Sequence, residues 1–127
     1  MANIQGVQGD NYRVWYEEKN NTVHFEGTLR LGTIAEYSPI LQLLNNAANN
    51  SSDFVNINFQ NLYLLNSSGI SILSKFVIDL KIKPTLKVVI TASSSIPWQS
   101  KVLKNLQKLR SSLILNYDSA SAKSINI

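Results

Sequence analysis

The residue types in this chain that could do chemistry gather in one string, Leu64-Leu65-Asn66-Ser67-Ser68-Gly69-Ile70. It falls where an apolar strand pattern gives way to a helical one. At a helix start the first backbone N–H groups lack partners and the dipole presents its positive end, so a phosphate carried on a hydroxyl there is tolerated. Ser67 and Ser68 supply the hydroxyls, and Gly69 eases the turn and admits a partner's backbone close by. Asn and Ser are also the preferred residues for capping a helix, so spacing alone is met equally by a plain N-cap.

Elsewhere the means for catalysis are thin. His24 is the single histidine and lies mid-strand, where it reads as an ordinary strand residue. Acid/base or nucleophilic catalysis needs groups positioned together, yet the carboxylates are scattered, and Glu17 and Glu18 are adjacent and so point to opposite faces of a strand. There is no cysteine, which excludes disulfides, thiolate metal sites and a thiol nucleophile. Neither a GxxxxGK[ST] nor a GxGxxG loop occurs. A non-enzyme that uses no metal and no cofactor is expected, one that works by binding.

Charge adds one feature. The net charge of +4 divides into −3 over residues 1–60 and +7 over 61–127. Much of the positive half lies in residues 98–110, WQSKVLKNLQKLR, with Lys101, Lys104 and Lys108 on one helical face. Such a face can be simply solvated, meet an acidic protein, or bind nucleic acid. The run lacks the arginine density and interleaved aromatics of a nucleic-acid site.

The elements that must position the serine string follow from hydrophobic period. Tyr12 to Glu17 alternates as a strand; Asn20-Asn21 signals a turn; Val23 to Leu31 alternates again, which makes a hairpin. From Thr33 the period becomes helical through Ile34, Tyr37, Leu41, Leu44 and Ala48, with Thr33 and Glu36 as a capping box. Phe54, Val55, Ile57 and Phe59 read as a central strand covered on both faces. Ile70, Leu73, Phe76, Val77 and Leu80 give a second helix stopped before Pro84, Leu86 to Thr91 a strand, Trp98, Val102, Leu106 and Leu109 a third helix behind Pro97, and Leu113 to Tyr117 a last strand.

The order β-β-α-β-α-β-α-β predicts an α/β domain, a mixed sheet with helices packed on its faces, because each late β-α-β step requires parallel pairing. One domain over 1–127 is expected, ordered from about 12 to 117, with 118–127 as a mobile tail. Its core should hold Ile34, Leu41, Leu44, Ile57, Phe59, Leu73, Val77, Val88, Ile90, Val102 and Leu106. No stretch has the length of a membrane span or the pattern of a signal peptide, so a soluble cytoplasmic protein that does not engage membranes is expected.

The run FVNINFQNLYLLNSSGISILSKF resembles the centre of STAS domains, the anti-sigma-factor-antagonist family, in which an apolar strand is followed by D-[ST]-[ST]-G-[IL] and a helix. With the strings FEGTLRLG, LNSSGI and IPWQ.K.LKNLQ (variable positions dotted), the chain most resembles a small cyanobacterial group of stand-alone STAS regulators. The resemblance implies a phospho-regulated switch in a partner-switching signalling circuit that controls transcription. Ser67 would be the phosphoacceptor, and Asn66, Ser68, Gly69 and Ile70 would belong to the partner-binding surface. The partners it implies are a protein kinase that doubles as anti-sigma factor and a metal-dependent serine phosphatase. The chain departs from the pattern at Asn66, where the family carries aspartate; an amide brings no negative charge to orient the hydroxyl or meet a kinase's magnesium. A phosphorylation-independent interaction module is the alternative that this departure implies.

Overall fold

Alternation of apolar and polar residues builds one six-stranded sheet whose strands lie side by side in the order in which they occur along the chain. The computed structural model describes residues 5–118. β1 (Gln5–Gln8), β2 (Tyr12–Glu17) and β3 (Thr22–Leu29) form an antiparallel meander; β4 (Phe54–Leu65), β5 (Lys87–Ser93) and β6 (Ile114–Asp118) add to it in parallel. The crossovers are α1 (Ser38–Asn49, entered through a 3-10 turn at Ala35–Tyr37), α2 (Ser67–Asp79, followed by a 3-10 turn at Leu80–Ile82) and α3 (Pro97–Leu109). The expected order is met, with β1 as an added edge strand that the sequence hid.

Three right-handed crossovers taken in the same direction across a sheet put every helix on one face. Accordingly α1 packs beside α2 and α2 beside α3. Val14, Tyr16, Val23, Phe25, Val55, Ile57, Val88 and Ile90 are buried beneath them. The helices therefore do not cover both faces, and β4 corrects the expectation of a strand apolar all round: Val55, Ile57 and Phe59 are buried while Asn56, Asn58 and Gln60 alternate with them and are only half-buried. β4 pairs in parallel on both sides, yet it alternates because the helices cover only one side of the sheet.

β4 also runs six residues past Phe59, to Leu65. Two register shifts against β3 insert an extra β4 residue each, between the pairs His24–Asn58 and Glu26–Asn61 and between Gly27–Leu62 and Thr28–Leu64. Each bulge re-aims the chain, so the buried positions change from spacing two (Val55, Ile57, Phe59) to spacing three (Leu62, Leu65). Gly27 sits in this irregular stretch with φ of 94°, a backbone state that L side chains rarely adopt, and a Cβ there would run into the Asn11 carbonyl.

The hairpin turn falls where Asn20-Asn21 marked it. Asn21 takes a positive φ of 47°, and its buried Nδ2 donates to Ala47 O at 3.0 Å and Phe54 O at 2.7 Å, which ties the turn to α1 and β4. Thr33 and Glu36 form the expected capping box, with Thr33 N–H donating to Glu36 Oε1 at 2.9 Å and Glu36 N–H to Thr33 Oγ1 at 3.3 Å.

Of the expected core, Leu44, Ile57, Phe59, Leu73, Val77, Val88, Ile90 and Leu106 are buried. Leu41 and Val102 are half-buried, and Ile34 is 55% exposed. Ile34 precedes the 3-10 turn, whose tighter winding breaks the helical period on which its placement rested. In α3 the inward face holds Gln99, Leu103 and Leu106 and ends on buried Arg110, so Leu109 points outward. Asp118 closes β6, and the tail expected to be mobile lies otherwise outside the described residues. Leu73 is 3% exposed in the middle of α2; Leu73→Ala should cost about 2–3 kcal/mol, read as a lowered urea midpoint at unchanged m, from lost transfer energy plus the cavity left behind.

Candidate functional site

The C-terminal ends of β3 and β4 and the start of α2 meet at Asn66. Its backbone N–H donates to Leu29 O at 3.0 Å, extending the β3–β4 pairing by one bond, and its backbone then turns to the extended N-cap conformation (φ −79°, ψ 175°). The Asn66 side chain makes three hydrogen bonds. Oδ1 accepts from Gly69 N–H at 3.1 Å and from the Tyr37 hydroxyl at 2.6 Å, while Nδ2 donates to Leu31 O at 2.9 Å. The capping residue is thus Asn66. An amide fits because the site needs an acceptor and a donor together, which a carboxylate does not provide.

Tyr37 completes this lock. It is 1% exposed, donates its hydroxyl proton to Asn66, and accepts from Leu31 N–H at 3.4 Å. Burial raises the Tyr37 phenol above its usual range, with the Leu31 amide opposing. As a sequence feature Tyr37 was one more apolar beat of a helix, and its polar role depends on a partner 29 residues away.

Gly69 serves the inside of the molecule. It is buried, and a Cβ would collide with the Leu65 side chain and come within 2.9 Å of the Tyr37 hydroxyl, so its smallness lets α2 seat against β4. Ile70 and Ser68 are half-buried. Ser67 is exposed, and among the described residues no hydrogen bond holds its hydroxyl. At the first position of a 13-residue helix it meets unpartnered N–H groups and the positive dipole end, with no acidic residue in the first turn. Of the five residues singled out in the sequence, the structure makes Asn66 and Gly69 the frame and leaves Ser67 outermost.

Sequence reading passed over apolar side chains at the same end. Tyr63 is 63% exposed and Leu64 is also exposed, both displaced outward by the β4 bulge, and Ile34 stands out beside the 3-10 turn that carries Tyr37. All three lie on segments that converge on Asn66.

His24 lies apart, on the uncovered sheet face. With Nδ1 accepting from Asn58 Nδ2 at 3.1 Å, Nε2–H donates to Glu17 Oε1 at 2.7 Å, and the ring stacks on Trp15 with centroids 4.9 Å apart. The His24 hydrogen bond holds the Glu17 carboxyl below its ordinary range, against a smaller opposing effect of burial. Both ring nitrogens are committed. Lys101, Lys104 and Lys108 are exposed as expected, and Trp98 packs on Phe59 at 6.1 Å with Nε1–H donating to Leu62 O at 3.1 Å. Among the described residues no helix is long and apolar enough to cross a membrane.

Sheet, one-sided helix layer and a capped helix start behind a bulged central strand define a mixed α/β domain. Neither a protein-family model nor a curated protein sequence matches the chain. Solved structures share the fold. Apo-SiaC from Pseudomonas aeruginosa superposes with a TM-score of 0.68 at 6% identity, over 92% of this chain and 99% of that one. SiaC in the crystal structure of the diguanylate cyclase SiaD with its activator SiaC, from the same organism, gives 0.62 at 10% identity over 88% and 96%. At such identities the likeness is one of fold.

Proposed function

We propose that this chain is a non-catalytic, cytoplasmic protein-binding regulator of a partner-switching circuit, in which phosphorylation of Ser67 controls docking. The observation that carries this reading is the division of labour at the start of α2: Asn66 and Gly69 are locked into the frame, while the neighbouring Ser67 is exposed and its hydroxyl makes no hydrogen bond among the described residues. Exposed apolar side chains at Tyr63, Leu64 and Ile34, on segments that lead to Asn66, are candidate contact area for a partner. A phosphate would add about −1.5 to −2 charges to that surface and oppose an apolar or acidic partner by repulsion and desolvation.

The resemblance to STAS antagonists supports a kinase or anti-sigma factor as the partner, a serine phosphatase as the resetting enzyme and transcription as the output. Its cyanobacterial reach rests on the three strings quoted above. The shared fold with SiaC, which in its complex is the activator of an enzyme, supports an enzyme as the regulated target equally well. A phosphorylation-independent module is favoured by one observation, the neutral Asn66.

The test uses purified chain and a partner recovered with it. Ser67→Asp should weaken that partner at least tenfold, a difference of about 1.4 kcal/mol, with unchanged circular dichroism, since a carboxylate at a helix start is neutral or mildly stabilising. Ser67→Ala should bind like the parent and show no added phosphate by intact mass after incubation with kinase. Phosphate found on another residue, or Ser67→Asp binding as tightly as the parent, would leave the phosphorylation-independent module in its place.

A further inference from the structure

We propose that the cavity between the ends of α2 and α3, at the opposite end of α2 from Ser67, binds a phosphate group through Lys81 and Arg110. Arg110 follows the last turn of α3 and is only 8% exposed. Its Nη1 donates to Leu80 O, and its Nη2 donates to Lys83 O and Leu86 O, each at 2.8 Å. These bonds staple α2's end to the start of β5. They are bonds to neutral carbonyls, so the guanidinium charge is buried with dipoles around it and no carboxylate within salt-bridge distance among the described residues. A buried charge without a counter-ion is costly. In addition, Arg110 Nε is the one buried side-chain polar atom among the described residues with no hydrogen-bond partner.

The surroundings raise that cost. Arg110 lines a surface cavity together with the exposed Lys81, Ser111 and Ser112, and no acidic residue lines it. Two cations thus share one depression, where like charges oppose each other and an anion would relieve both. Stapling explains the three Nη bonds. It explains neither the spare Nε–H nor the second cation beside it. The Lys81 ammonium and the two serine hydroxyls belong to residues that line the same cavity as Arg110 and offer donors there. A doubly charged phosphate, with several acceptor oxygens, matches two cations and these donors better than a single carboxylate does. Pro84 and Leu109 form an apolar wall of the same cavity, so the phosphate could be free or carried on an apolar-bodied small molecule.

The experiment is a titration of the full chain, followed by amide and arginine side-chain correlation spectra, with inorganic phosphate, phenyl phosphate and a chloride control at constant ionic strength. Shifts should centre on the Ser111 and Ser112 amides and the Arg110 Nε–H. Lys81→Ala, at an exposed position outside the core, should weaken phosphate at least tenfold, as expected for loss of a hydrogen bond to a charged group. Tighter binding of phenyl phosphate would identify a phosphomonoester with an apolar body as the source, and equal binding would identify free phosphate. Shifts that are absent, reproduced by chloride, centred on Ser67 and Ser68, or unchanged by Lys81→Ala would overturn the site.

Discussion

Gln99→Leu is expected to lower the free energy of unfolding by about 3–5 kcal/mol although it exchanges one buried side chain for another of similar size. Gln99 is fully buried under α3. Its Oε1 accepts from Ser93 N–H at 2.8 Å, and its Nε2 donates to Phe59 O at 2.7 Å and Leu62 O at 2.9 Å. Those carbonyls flank the first β4 bulge, where the ladder to β3 is out of step. Leucine would leave the Ser93 N–H and the Phe59 carbonyl buried without these partners, each at about 1–3 kcal/mol. Leu62 O keeps its bond from Trp98. Urea unfolding measures the loss directly. A change under about 1 kcal/mol would mean that water enters and serves the bulge in place of the amide.

Gln99 also shows where sequence reading stopped. Hydrophobic period located all three helices and five of the six strands, because those elements alternate or repeat strongly; Gln5-Gly6-Val7-Gln8 carries no such alternation and pairs only because β2 offers it an edge. The face of α3 was assigned from its apolar residues as Trp98, Val102, Leu106 and Leu109, whereas the buried face is Gln99, Leu103, Leu106 and Arg110. Two of those four are polar and are drawn inward by backbone groups on other elements, a demand that no property of the helix itself records. One-sided coverage of the sheet was likewise hidden, since it depends on every crossover running the same way. At the site, residue types announced a cap at the start of α2 but not that Asn66 would be the cap, because the choice is fixed by Tyr37 and Leu31 across the fold.

That wiring gives the last expectation. Asn66→Ala should cost about 3 kcal/mol: loss of an N-cap costs about 0.5–2 kcal/mol, and the buried Tyr37 hydroxyl is left without its acceptor for about 1–3 more. Asn66→Asp should cost only about 1 kcal/mol at neutral pH. The carboxylate still accepts from Gly69 N–H and Tyr37 and gains from the positive end of α2, but it loses the donor to Leu31 O and sets a charged oxygen against that carbonyl. Ser68→Ala should be nearly silent, since Ser68 does not cap. Thermal or urea unfolding of the three variants checks the order, and Asn66→Asp as damaging as Asn66→Ala would mean that the donor to Leu31 rather than the shared acceptor holds the junction. The same pair bears on the proposed switch at Ser67. A carboxylate beside Ser67 can orient the hydroxyl and meet a kinase's magnesium, so Asn66→Asp should be phosphorylated faster than the parent while folding less stably. The amide then reads as a residue kept for the lock at the cost of rate, and equal phosphorylation of both proteins would remove the neutral Asn66 as an argument against the switch.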